Sequence, residues 1–173
     1  MAVLVDSYSE SNVDNMFGIQ TAGRTAGQSF QSSAGILASA IFYLSKSGNP
    51  IGNIRAELYA TSGTFGVDEN KTGSVLATSD NIDVSTLGAA ALITFTFSGA
   101  NKYSLVNGVA YVILVAADFS VNGTDYYSFG IDASSPSHNG VHILDTTTFT
   151  TRDSAFYVYK DDATTTSTTT TST

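Results

Sequence analysis

Ile54-Arg-Ala-Glu-Leu-Tyr-Ala60 decides how this chain folds. Successive side chains on a strand point to opposite faces. Ile54, Ala56 and Leu58 then share one face, and Arg55, Glu57 and Tyr59 the other. An apolar side for a core and a polar side for water is the pattern of a half-buried strand. Leu92-Ile-Thr-Phe-Thr-Phe97 repeats it, with Ile93, Phe95 and Phe97 inward and Thr94 and Thr96 outward. Ala110-Tyr-Val-Ile-Leu-Val115 is nearly continuous in its apolar character, as a central strand is.

Around these stretches the same kind of segment recurs, punctuated by Gly, Asn, Ser and Thr. Ala2 to Val5, Ile36 to Leu44, Val75 to Thr78, Ile82 to Val84, Tyr126 to Ile131 and Ala155 to Tyr159 read as strands, and Met16 to Ile19 as a short apolar piece. Val141 to Thr150 reads as a hairpin, and Asn107-Gly108 as a tight turn of type I′. The polar stretch Asp6 to Asn15 reads as a connection, and Val67 to Gly73 as the longest loop of the body. Gly35 to Leu44 has enough alanine for a helix, but Phe42-Tyr43 and the surrounding strands favour extended backbone. The expectation is an all-β fold: an antiparallel two-sheet β-sandwich, jelly-roll-like, of about eight to ten strands. It occupies residues 1–160.

Residues 161–173 differ in kind. Ala163-Thr-Thr-Thr-Ser-Thr-Thr-Thr-Thr-Ser-Thr173 has no apolar periodicity. It reads as a tail, a linker or an exchange arm, with Thr164, Thr168 and Thr171 as candidate arm residues, since threonine favours strands.

Charged residues make up 13% of the chain, about half the usual share of roughly 25%. Such a surface suits proteins that work outside cells or that cover themselves with copies of themselves. The net charge of −8, with seven scattered Lys and Arg, argues against nucleic acid, which demands a basic patch. The absence of cysteine removes disulfides and thiolate chemistry. No apolar run approaches the ~20 residues that span a bilayer, so membrane insertion is not expected. Met1-Ala-Val-Leu-Val-Asp6 lacks the basic and long apolar regions of a secretory leader, which points to release as part of a virion.

Reactive groups are few. His138 and His142 are four apart and flank Asn139-Gly140, in reach of Asp132 and Asp145 for a metal only if a turn gathers them. Asp80 and Asp83 form the best candidate for a structural Ca²⁺ site, although loop carboxylates are mostly solvated and no cofactor is otherwise implied. Glu57 beside Arg55 reads as half of a cross-strand surface ion pair rather than a glycosidase acid. No nucleophile elbow or triad context is present, so no enzyme is expected and no catalytic residue is assigned. Tyrosine stacks on sugars and favours interfaces. Of the nine tyrosines, Tyr59 and Tyr126 are the candidate ligand contacts.

Gln28-Ser-Phe30 and Ile41-Phe-Tyr-Leu-Ser-Lys-Ser-Gly-Asn-Pro-Ile-Gly-Asn-Ile-Arg-Ala-Glu-Leu-Tyr-Ala60 carry a further signal. With Leu76-Ala-Thr-Ser-Asp80, Thr94-Phe-Thr-Phe-Ser-Gly99 and Asp132-Ala-Ser-Ser-Pro-Ser-His138, they resemble a β-sandwich module of phage structural proteins and bacterial and archaeal surface proteins, the choice-of-anchor type. The resemblance covers roughly residues 2–160 and lies in turn and core residues. It implies a non-catalytic module displayed on a particle or cell surface and supplies no catalytic residues. The leading expectation is a structural or display protein of a viral particle (decoration, fibre or tail-associated) that binds copies of itself or other virion proteins. The alternative is a carbohydrate-binding or adhesive module of an extracellular bacterial or archaeal protein, with glycans as partners. Either places the protein on a virion or an extracellular surface.

Overall fold

The computed structural model describes residues 1–161; Thr164, Thr168 and Thr171 lie outside the described residues. Two antiparallel sheets pack face to face. The front sheet has eight strands: β1 (Ala2–Tyr8), β2 (Asn15–Ile19), β4 (Gly35–Ser47), β8 (Ala91–Thr96), β9 (Ser104–Leu105), β11 (Tyr126–Asp132), β14 (Asp153–Ser154) and β15 (Phe156–Asp161). The back sheet has seven: β3 (Ala26–Gln31), β5 (Asn53–Ser62), β6 (Asn70–Thr78), β7 (Ile82–Asp83), β10 (Ala110–Ala117), β12 (His142–Leu144) and β13 (Thr147–Phe149). The front order is β1-β15-β4-β11-β14, with β8 and β9 on β4 and β2 on β11. The back order is β13-β12-β3-β10-β5-β6, with β7 on β5.

Alternation builds the core as the sequence requires. Ile54, Ala56 and Leu58 of β5 are fully buried between the sheets. Phe42 of β4 meets Phe95 of β8 and Phe129 of β11 edge-on, with ring centroids 6.1 and 5.5 Å apart. Each such pair adds about 0.5–1.5 kcal/mol beyond area burial. The apolar run of β10 also has a cause. Tyr111, Ile113 and Val115 enter the main core, while Val112 and Leu114 form a second cluster with Val141, Ile143 and Tyr59 on the outer side. The chain entering β6 closes over that side. The Asn70 amide reaches the Thr146 carbonyl, the Thr148 hydroxyl donates to the Glu69 carbonyl, and Lys71 Nζ reaches Thr25 Oγ1 across 3.1 Å. β6 and β13 are opposite edges of the sheet, so these bonds cross its outer face.

Several boundaries differ from the sequence reading. β1 continues through Asp6 to Tyr8, because Asp6 and Tyr8 have polar partners inside the protein. β6 begins at Asn70, inside the expected loop; Asn70 and Lys71 are polar and Thr72 to Val75 are exposed, so this part carries no apolar alternation. Fifteen strand segments replace the expected eight to ten, several of them two residues long. Val109 N–H donates to Val106 C=O around Asn107-Gly108, but only Gly108 has positive φ, at 74°. A type I′ turn needs it at both central residues, so this turn is of type II. It carries the chain from β9 in the front sheet to β10 in the back sheet, which a hairpin turn would not do. The ion pair of Glu57 is also local. Arg55 lies 2.7 Å away on the same strand, the Tyr59 hydroxyl donates to Glu57 from 2.7 Å, and Glu57 is 6% exposed.

Candidate functional site

The largest concentration of buried polar groups lies where β1 of the front sheet meets β3 of the back sheet. Gln28 follows Ala26 and precedes Phe30 on the inward face of β3, a position that alternation reserves for an apolar side chain. Its burial is tolerable only because its amide is used on both sides. Gln28 Nε2 donates to Asp153 Oδ1 at 2.9 Å, and Gln28 Oε1 accepts from Ser154 N at 2.9 Å. Asp153 Oδ2 accepts the His138 backbone N–H at 2.9 Å. Burial holds the Asp153 carboxyl above the usual carboxylate range, against the pull of these donors.

His138 extends the network to the surface. Its Nδ1 accepts the Gly140 N–H at 3.0 Å and faces the Gln28 amide at 3.2 Å. The ring proton therefore sits on Nε2 and points to Asp6 Oδ1 at 3.2 Å. Asp6 also accepts from Ser7 N at 2.8 Å and Gln31 N at 3.2 Å. Beside it the Tyr8 hydroxyl donates to Asp132 Oδ2 at 2.6 Å. Burial raises the Tyr8 hydroxyl, and the Asp132 bond raises it further. For Asp132 burial pushes up, yet the Tyr8 hydroxyl and the N–H groups of Ser134 and Ser135 outweigh it and hold the carboxyl low.

Above this network a cleft of about 380 Å³ opens, lined by Val5, Asp6, Ser7, Tyr8, Gln31, Phe65, Ser137, His138 and Asn139. The loop bearing Phe65 is held close by Gly66. At φ +77° a Cβ there would be strained and would stand 2.3 Å from the Asn139 carbonyl oxygen. Glu69 closes the underside of the same loop. It is 1% exposed, its Oε2 takes the Gly66 N–H, its Oε1 has no partner among the described residues, and burial raises its carboxyl.

His142 lies apart from His138, on β12 and inside the core. The Ser154 hydroxyl donates to Gly27 C=O at 3.1 Å, so His142 Nδ1, 2.8 Å from Ser154 Oγ, is the donor of that pair. A base that must take a serine proton would present a lone pair there instead. The pair is fully buried and holds β12 and β14 against β3. A second depression of about 390 Å³, around Glu10, Asp14, Met16 and Tyr43, has its carboxylates already engaged. Glu10 takes the Tyr157 hydroxyl, and Asp14 takes the N–H groups of Ala133 and Ser134 at 3.0 Å each.

No family model, curated protein or solved structure matches the chain.

The residues singled out in the sequence are dispersed. Tyr59 stands on the outer side of the back sheet, half-buried, with Lys71 Nζ 5.1 Å from its ring centroid. Tyr126 is on the front sheet, its ring against Gly18. Asp80 Oδ1 accepts the Ser98 hydroxyl at 2.7 Å. Asp83 caps the turn Val84–Thr86 by accepting Ser85 N at 2.8 Å, and the Ser85 bonds hold its carboxyl low. Asp118 and Asp125 likewise receive the N–H groups of Asn53 and Asn49 at 2.6 and 2.7 Å. These carboxylates tie loops. Among the described residues no three His, Cys, Asp or Glu side chains gather as metal ligands. Among the contributors not proposed as site residues, Gln28 is signalled by a polar residue at an inward strand position and Phe65 by a large aromatic between Gly63 and Gly66.

Proposed function

We propose that this chain is a non-catalytic structural or display module of a viral particle surface, and that it associates with copies of itself through the front sheet. One observation carries this reading. The strand registers place Leu4, Tyr159, Ser39 and Thr96 in one outward row, Ser7, Tyr157, Ile41 and Thr94 in the next, and Tyr43 with Leu92 in a third. None of these ten side chains is charged, in a protein of net charge −8. Glu10 stands at the border, occupied by the Tyr157 hydroxyl.

The edges support the same reading. Among the described residues β1 pairs only with β15, and β8 only with β4. Ala2 to Val5 has no charge or proline to blunt further pairing, and Val3 and Leu4 are 38% and 47% exposed. Strands about 4.8 Å apart give the face an area of a few hundred Å². A stable interface needs roughly 800 Å² per partner. Backbone pairing along β1 is the natural source of the remainder. The particle setting rests on the sequence resemblance given above.

Sedimentation velocity on the full chain at about 100 µM tests the proposal, a concentration that detects association as weak as −5 to −6 kcal/mol. A discrete oligomer or filament is expected, and Leu4→Lys should return it to monomer by burying a charge at the centre of the contact. A wild-type monomer sinks the reading. Removing the residues after Asp162 separates two routes: loss of the oligomer assigns assembly to the threonine-rich arm, and its persistence assigns assembly to the sheet.

A further inference from the structure

We infer that the cleft between β1, the Phe65 loop and the His138 loop is a binding site for a neutral pyranose sugar. Phe65 carries the argument. The other nine phenylalanines lie in the main core or pack against it, whereas Phe65 joins neither apolar cluster. Its ring instead lines a cleft whose other walls are largely polar. An aromatic side chain kept out of the core, on a loop bound down by Gly66, offers one apolar surface in polar surroundings. A pyranose needs that combination, with a C–H face to stack and a rim of hydroxyls to hydrogen-bond.

The rim supplies the second half. Ser137, Asn139 and Gln31, whose amide N–H also reaches the Gly108 carbonyl at 3.3 Å, line the opening with neutral polar groups. Asp6 is held by three donors, and a carboxylate has about four acceptor positions, so one is left for a sugar hydroxyl. The His138 ring, 8% exposed in its side chain and locked by Gly140 and Gln28, keeps that carboxylate still. Preorganised acceptors of this kind cost little ordering entropy on binding.

Charge selects the ligand class. The cleft holds one carboxylate and no Lys or Arg, with Glu69, Asp132 and Asp153 in the protein around it. An anion is repelled, and no trio of ligating side chains serves a metal ion among the described residues. A volume of about 380 Å³ lies near the low end of small-ligand pockets, which run roughly 300–1,000 Å³, and suits one or two rings. The cleft borders the proposed self-association contact along β1, with Ser7 on both, so sugar binding and assembly are measured separately.

The test is protein-observed NMR titration with glucose, galactose, mannose, N-acetylglucosamine, fucose and rhamnose, each to about 20 mM, which reaches binding as weak as roughly −2 to −3 kcal/mol. At least one sugar should give saturable shifts at the amides of Asp6, Ser7, Gln31, Phe65, Ser137, His138 and Asn139. Phe65→Ala should weaken that sugar tenfold or more with the melting temperature little changed, since the ring supports neither core cluster. Asp6→Asn should weaken it less and keep the stacking contact. Absence of saturable shifts with all six sugars, or binding that survives Phe65→Ala undiminished, overturns the proposal.

Discussion

Replacing Gly27 with alanine is expected to cost about 3 kcal/mol or more, the largest loss from any single added methyl group in this fold. Gly27 lies on β3 between β10 and β12, in register with Leu114 on one side and Ile143 on the other. A Cβ there would stand 2.0 Å from the Ile113 carbonyl oxygen and 2.9 Å from Leu114 Cα. Both obstacles are backbone of the central strand, so no side-chain rotation relieves them. Moving β3 away would loosen its ladders to both neighbours and the bond from the Ser154 hydroxyl to the Gly27 carbonyl. Domains of this size have about 5–15 kcal/mol of stability in total, so the loss is a large fraction. At roughly 2–4 °C per kcal/mol, the melting temperature should fall by about 6–12 °C. Gly88→Ala is the control. Nothing lies within 4 Å of its Cβ position, and its backbone is not left-handed, so its change should stay within about 0.5 kcal/mol. Equal melting temperatures for the two variants would show that β3 does not approach β10 as closely as described.

The long strands were legible in the sequence because each has one covered face. The inward set of β5 and the aromatic set of β8 follow from alternation alone. What escaped has a common cause. β9 and β14 are two residues each, too short for any period to register. The start of β6 lies at an edge, with Asn70 and Lys71 polar and Thr72 to Val75 exposed, so it carries no apolar signal. The site was less legible still. Tyr59 and Tyr126 were singled out by residue type, and they stand on different sheets, each beside its own local contacts. Phe65 lay in a stretch that reads as a turn, and a turn gives no reason to ask where its side chain goes. Gln28 was visible as a polar residue between Ala26 and Phe30, but its partners Asp153 and Ser154 are more than 120 residues away in the chain. Only tertiary structure brings such partners together, and an unsatisfied amide in that position would be costly.

His142 makes acid sensitivity a property of the core. Burial pushes its imidazole down to about 4 from 6.5, and the nearby Arg152 guanidinium adds to the effect. Its Nδ1–H is spent on Ser154, while Nε2 has no partner among the surrounding groups, with Phe17 and Phe149 against the ring. A proton arriving at Nε2 would be a buried charge with no acceptor. The unfolded chain takes up that proton near pH 6.5, but the folded chain resists until about pH 4. Between these values the unfolded state binds more protons, so stability rises with pH and is lost as pH falls. At 1.36 kcal/mol per pH unit the full loss is about 3 kcal/mol. Asp153 and Glu69 act in the opposite sense. Burial raises both, so the folded state holds their protons more tightly and gains stability on acidification. Glu10 and Asp132 are lowered and lose stability only below the ordinary carboxylate range. A paired comparison removes these carboxyl contributions. Denaturant unfolding of the wild type and of His142→Gln at intervals from pH 7.5 to 4 should show the wild type losing about 3 kcal/mol relative to the variant, most of it below pH 6.5. The glutamine lowers stability by a constant amount, so the difference in slope is the readout. Parallel pH profiles for the two proteins would mean that His142 takes its proton inside the fold, and the buried, unpartnered Nε2 would then have to find an acceptor the structure does not provide.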